Sequence, residues 1–436
     1  MQAGLIQFFV RYKYLLICLI VSFILRLILI GELVYPADLY GAFKPWAMHA
    51  AREGLSNFYQ AVEYEHPPGY IPILWLQGSL TDWLKTFLQI SEEQLFLIIF
   101  KIPVILADLA GGVYAYLLVN KLTRKRHLAL WSVILYLFNP SFLYNTMYWA
   151  QIDGILCLGI IASAYYMVIK RLDLSILAGC LVASVKPQAI FILALIILAA
   201  FFSLCGDPKL RSDHKALLSR LFGQILLPGL AVFSLNYLIL IPINGGNLFE
   251  LWEAMLASLH RYPYASVNGA NFWLLVGGNW QIDSEFMLWS ISSNLLSVFT
   301  VLGLLIGGGL SIANSRYRHQ IVLILAVCLQ LAAYFATRQH ERYLEYPIAL
   351  LIAWALIHRS YPAWIALLLY TTGAFLNQSL VAEYPSWLPQ IPGVDMSLAA
   401  ICLGGGIFFT LIDFIPWQRY ARKILAPYQR SELVSF

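Results

Sequence analysis

Runs of about 20 apolar residues recur from one end of this 436-residue chain to the other, and they leave it few folds to choose from. In hydrocarbon every backbone N–H and C=O must find its partner inside the protein, so a spanning segment is a helix or a strand of a closed barrel. Barrel strands are short and alternate apolar with polar residues. These runs are long and uniformly apolar, so the chain reads as helical. The residues are 60% hydrophobic and 12% charged, about half the charged share of a soluble domain. An all-α, polytopic integral membrane protein is the class that fits, folded as a single membrane domain over 1–436.

The runs lie roughly at 14–34, 95–119, 128–147, 152–169, 173–186, 188–205, 221–243, 287–311, 320–337, 346–358, 362–380 and 396–416. That is about 12 transmembrane helices, within a range of 10–13. The pair 173–186 and 188–205 is short, and Lys186-Pro187 marks a hairpin tip between them. The first run is too long for the apolar core of a cleavable signal and no small-residue cleavage site follows it, so it reads as the first span. Basic residues collect in alternate short loops, among them Lys121-Leu122-Thr123-Arg124-Lys125-Arg126 and Lys209 to Arg220. Placing those loops in the cytoplasm puts both termini inside.

The intervening loops differ in kind. Residues 35–94 carry seven acidic residues against three basic ones, and Phe43 to Tyr59 mixes aromatic and polar residues at helical spacing, as an interfacial helix does. A second long, aromatic-rich loop covers about 244–286. Loops of this kind on a rigid scaffold commonly carry function. The net charge of +5 resides in the short loops, with no dense basic run beside stacking aromatics, so nucleic acid is not an expected partner. Six unpaired-looking cysteines inside or beside apolar runs read as small buried hydrophobes rather than a disulfide or zinc framework.

Polar residues are scarce, and five clusters of them fall on the face opposite the basic loops. Asp38 follows the first span. Near a membrane surface it has the makings of a general base, and equally of a cap for the next helix. Glu65-His66-Pro67-Pro68-Gly69-Tyr70 is a turn stiffened by two prolines that holds two titratable groups in place, or else an ordinary turn in water. In Trp149-Ala150-Gln151-Ile152-Asp153, the aspartate begins an apolar run and suits capping as well as sugar binding. Trp149 is an interfacial anchor or a face for a sugar ring. Lys186 has no acidic neighbour in sequence and needs a partner or an anionic ligand such as phosphate; snorkelling is the alternative. Arg338 and Arg342 flank His340-Glu341, a set able to grip phosphate or to form local ion pairs. Lys101 and Asp108, seven residues apart within one run, read as an intramembrane ion pair. No Walker loop, dinucleotide glycine pattern, zincin motif or nucleophile elbow is present.

These fragments, in this order, resemble the multi-spanning glycosyltransferases of the GT-C fold, and most closely the bacterial relatives of the PIG-V or Gpi18-like mannosyltransferases. The resemblance runs from Asp38 to Arg342. Ala37-Asp38-Leu39-Tyr40, His66-Pro67-Pro68-Gly69-Tyr70, Trp149 to Asp153, Lys186-Pro187-Gln188, Tyr264 to Asn268 with Asn271, and His340-Glu341-Arg342-Tyr343 carry it. It implies a GT-C-like membrane fold with helical exoplasmic loops in a bacterial inner membrane. The implied reaction moves a sugar, mannose by preference, from a polyprenyl-phosphate donor to a lipid, glycan or protein acceptor at the outer face, with inversion. By that resemblance Asp38 is the general base. It stands alone where many members carry paired acids, which leaves Glu65 and His66 as candidates to share the role. Lys186 and Arg342, helped by His340, neutralise the leaving phosphate. Tyr40, Trp149, Gln151, Asp153, Gln188, Asn268, Asn271 and Glu341 contact sugar or acceptor. Members using phosphate-linked donors need no metal, so no cofactor is expected. The competing class is a transporter or lipid-linked-sugar flippase. Against it stand the lack of twofold symmetry between the halves and the location of the polar clusters at one face rather than the midplane.

Overall fold

The structure is a computed structural model that describes residues 2–382 and 395–424. It is 78% helix and 3% strand, an all-helical plan with two small β-strands. Each apolar run of the sequence contains a helix. In chain order the helices used below are α1 Gln2–Ile28, α2 Lys44–Arg52, α3 Ile71–Lys85, α4 Glu92–Thr123, α5 Arg126–Leu137, α6 Asp153–Val168, α7 Leu172–Ala183, α8 Ile190–Gly206, α9 Leu227–Asn244, α10 Leu248–Arg261, α11 Ser293–Ala313, α12 Arg318–Phe335, α13 Ile348–His358, α14 Tyr361–Val381 and α15 Met396–Ile424.

Among the described residues seven helical stretches are long and apolar enough to cross a membrane, fewer than the twelve crossings expected. An eighth arises if α5 and the segment Pro140–Trp149, bent by 41° at Asn139-Pro140, form one span. The difference lies in length. Helices α6 and α7 fall in the 10–17-residue class, and α13 has 11 residues, about 16 Å at 1.5 Å per residue against a hydrocarbon core of about 30 Å. Helix α13 is instead a buried strut, with every residue from Ile348 to Leu356 at 2% exposure or less. A helix that is apolar all round and enclosed in protein has no need of bilayer length. By contrast α9 shows Leu230, Phe233, Leu235 and Leu238 on its surface, as a lipid-facing helix does. The predicted run 287–311 is also shorter as a helix. Its first residues pair as a hairpin, β1 Met287–Leu288 with β2 Ile291–Ser292, turned through Trp289 and Ser290 at φ 50° and 65°. A short apolar run does not distinguish strand from helix by composition.

The first long loop is largely helical, as expected, but is built on a helix the periodicity did not single out: α3 packs against α2. Gly78 makes this possible, since a Cβ there would lie 2.1 Å from the Ala47 carbonyl oxygen. The loop's acidic excess is answered in space. Glu92 accepts from Lys85 and Arg52 and lies 3.1 Å from Lys44. Residues 425–436, the expected inward-facing C-terminus, lie outside the described residues.

Candidate functional site

Two π-helical turns open the site. The chain leaves α1, forms a short helix at Pro36–Asp38 and widens into a π turn over Leu39–Phe43. A second π turn, Tyr144–Trp149, ends at Ala150 in the left-handed region. Such turns aim side chains that a regular helix would carry elsewhere, and they occur often at functional sites. Here they bring Asp38 and Trp149 together. Asp38 makes no capping bond. Its Oδ2 accepts from Trp149 Nε1 at 2.9 Å, Gln151 Nε2 at 2.5 Å and Arg342 Nη1 at 3.1 Å. Three donors on one oxygen leave Oδ1 as the outward edge of the carboxylate.

Behind Arg342 the charges alternate. Arg342 pairs with Glu341 at 2.9 Å and its Nε lies 3.9 Å from Asp153 Oδ2. Asp153 Oδ1 takes Lys186 Nζ and the Tyr346 hydroxyl, each at 2.5 Å. Asp153 does open α6, as its position at the head of an apolar run predicts, yet it binds a cation instead of capping. Lys186 has therefore found an acidic partner 33 residues away, invisible in local sequence, and is 3% exposed, so it does not snorkel.

The stiff turn 66–70 docks directly beside this lysine. Gly69 N–H donates to the Ser184 carbonyl at 2.8 Å, and a Cβ on Gly69 would lie 2.5 Å from that same oxygen. His66 is thereby held between the edges of Trp46 and Tyr64. Burial, followed by the Lys186 cation, pushes its imidazole down to about 3. Glu65 turns outward to pair with Arg261 at the end of α10, which links the two long loops across the mouth of the site.

The second long loop braces the 338–342 segment. Val267 N–H donates to the Gln339 carbonyl and Arg338 N–H to the Tyr264 carbonyl, both at 3.0 Å. Arg338 also pairs with Asp283 at 2.7 Å, so of the two arginines around His340 it is Arg342 that joins the charge cluster. His340 packs on Tyr262 and Tyr343, and burial, followed by the Arg342 cation, brings it down to about 3. At neutral pH it offers an N–H but no positive charge.

These walls enclose a cavity of about 790 Å³. Asp38, Glu65, His66, Gln151, Lys186, Gln188, His340 and Arg342 line it, so eight of the expected site residues meet in one space. Its far wall is apolar: Ile190, Phe191, Val301, Leu329, Ala332 and Ala333, from the helices α8, α11 and α12. Three polar atoms of residues that line it have no hydrogen-bond partner, His66 Nδ1, Gln188 Oε1 and Arg342 Nε. Buried polar atoms are nearly always satisfied in proteins, so three together mark a place shaped for a polar ligand.

Several expectations need correction. Trp149 is 1% exposed, donates to Asp38 and has Arg342 5.0 Å from its ring, so it is neither an interfacial anchor nor an open stacking face. Tyr40 turns away toward the Glu93 carbonyl. Asn268 is spent on Asn279, Trp280 and, through its backbone carbonyl, Asn377; Asn271 accepts from Leu274 N–H at the start of a short helix. These three lie off the cavity lining. Glu341 is buried against Arg342. Lys101 and Asp108 do not pair, since seven residues along a helix separate them by about 10 Å. Asp108 pairs with Arg26 of α1 at 3.0 Å.

Sequence reading missed Trp46, Tyr262 and Tyr346, all of which line the cavity. Tyr346 lies one helical turn beyond Arg342, a spacing that could have marked it. Among the described residues no group of three or more His, Cys, Asp or Glu side chains is placed to hold a metal ion. Comparison with known protein families and with characterised proteins finds no match to this chain.

Proposed function

We propose that this protein is an inverting glycosyltransferase of GT-C type that moves a sugar, mannose by preference, from a polyprenyl-phosphate donor to an acceptor hydroxyl at the exoplasmic face of a bacterial inner membrane. The observation that carries the reading is a cavity that joins a carboxylate, a buried and a half-buried cation and an apolar wall. A phosphate-linked lipid donor presents the complementary set: an anion at the junction of a sugar and a long apolar chain.

In this reading the donor phosphate lies against Lys186 and Arg342, with its lipid along Ile190, Phe191, Leu329 and Ala332. His340 gives the phosphate a neutral N–H. Oδ1 of Asp38 accepts the proton of the acceptor hydroxyl as its oxygen bonds to the anomeric carbon. On the opposite side of that carbon the bond to the phosphate oxygen breaks, and the electron pair leaves as lipid phosphate. Negative charge grows on that phosphate in the transition state, and cations already in place stabilise it without reorganising. Burial keeps His66 unprotonated down to about pH 3, so it faces the site as a neutral ring. Glu65, engaged with Arg261, sits at the acceptor's entrance.

The test is sugar transfer in liposomes with a panel of polyprenyl-phosphate sugars and no added metal. Asp38→Asn keeps the shape and removes the base, so kcat should fall by about 10²–10⁴ while donor KM changes little. Transfer unchanged in a folded Asp38→Asn protein would move the base elsewhere. Donor translocation without transfer by the wild type would favour the flippase.

A further inference from the structure

Lys101 is fully buried in α4 and takes no part in the chemistry above. Its ammonium has three donors, and all three are used on backbone carbonyls: Ile30 at 3.0 Å, Glu32, and Met147 at 2.6 Å. Ile30 and Glu32 follow the end of α1, where a helix leaves carbonyls without partners. Met147 belongs to the second π turn. One side chain thus fastens the segment that follows α1 to the second π turn, and a backbone bond continues the seam, Val34 N–H to the Tyr148 carbonyl at 2.8 Å. The next side chains along the two strands of this seam are Tyr35, in ring contact with Trp149 at 5.4 Å, then Asp38, and on the other side Trp149 and Gln151, the two donors to Asp38. A second buried stitch lies deeper: Arg26 of α1 pairs with Asp108 of α4, and Asp108 hydrogen-bonds Thr146 of the same π turn.

We infer that Lys101 is a positioning residue, which by gathering the carbonyls of Ile30, Glu32 and Met147 sets the Asp38 carboxylate against Trp149 and Gln151. The general-base part of this inference rests on the transferase reading; the tie between the two segments does not. A lysine suits the task because a carboxylate partner would satisfy its charge and leave the carbonyls open. Three carbonyl dipoles satisfy the charge and lock the backbone together.

The experiment compares wild type, Lys101→Met, Lys101→Gln and Asp413→Asn. Asp413 is a buried carboxylate of α15, held by Trp354 and His358 of α13 and by Ser360, and controls for general loss of stability. Amide hydrogen exchange in residues 30–38 and 145–152 is read alongside kcat and donor KM. Lys101→Met should speed exchange in both segments by about tenfold or more, leaving α6 and α12 protected. Its kcat should fall by about a hundredfold, as small misplacements of a catalytic group do, with donor KM within about threefold. Lys101→Gln keeps two N–H donors and should fall between, and it carries the test if the methionine variant does not fold. Asp413→Asn should leave exchange at 30–38 unchanged. Exchange at these segments equal to wild type in either Lys101 variant, or a rise in KM matching the loss of kcat, overturns the inference. If the wild type transfers no sugar, the exchange comparison still decides the tie, and the transferase reading fails alone.

Discussion

A charge in this protein is defined by the residue it meets. Lys186 and Asp153 make a buried ion pair, and beside them two imidazoles are kept neutral. His66 and His340 each come down to about 3 from an ordinary 6.5, burial being the first cause in both. The consequence for stability has a definite sign. Between those values the unfolded chain holds a proton on each imidazole and the folded chain does not, so protonation favours unfolding. Stability is intact above about pH 6.5 and declines as the pH falls toward 3, at a limiting slope of about 1.4 kcal/mol per pH unit for each histidine. Thermal unfolding of the wild type from pH 7 to pH 4.5 should show the decline. Replacing His340 by Gln should flatten it, and a slope unchanged in both His340→Gln and His66→Gln would mean that neither imidazole is held neutral. Under the transferase reading a bound lipid phosphate should oppose the decline, because an anion beside His340 favours the protonated ring.

At the scale of elements the site depends on close approaches between segments far apart in sequence. The turn 66–70 rests on Ser184 through Gly69, two residues before Lys186. Gly69→Ala would drive a methyl group into the Ser184 carbonyl. Overpacking of this kind costs about 1–3 kcal/mol. The turn should lift and withdraw His66, with a fall in melting temperature and, under the transferase reading, a drop in kcat of about tenfold. Gly229→Ala, which meets open space in α9, should leave both unchanged; a Gly69→Ala protein as stable and as active as that control would show that the docking does not matter. The sequence pattern made these elements only partly readable. The double proline foretold a stiff turn, and Asp153 at the head of an apolar run foretold the start of α6. The surface the turn docks on, and the lysine that Asp153 meets, are decided by packing between runs that all look alike in composition. The same blindness misassigned Lys101 and Asp108, which share a helix but face partners on α1 and the π turn.

For the whole molecule the apolar runs were enough to read a helical membrane protein and nearly every helix in it, because bilayer and protein interior both select apolar residues. That shared preference also hid which helices cross. Helix α13 is as apolar as any span yet is enclosed by its neighbours, and only length against bilayer thickness tells the two apart. The clustering of the scarce polar residues was legible, since charge is conspicuous in such a chain, and eight of the expected residues line one cavity. The apolar side of that cavity was not legible at all. Ile190, Phe191, Val301, Leu329, Ala332 and Ala333 look like any other membrane residues until α8, α11 and α12 are brought together. Under the transferase reading this wall holds the donor's chain, and that has a measurable outcome. Ala332→Phe narrows the wall without touching Asp38, Lys186 or Arg342. It should raise KM about tenfold for a donor with a full-length polyprenyl chain and less than about twofold for one cut back to a single isoprene unit, with kcat largely retained for both. An equal effect on the two donors would place the chain elsewhere, leaving the wall as ordinary helix packing.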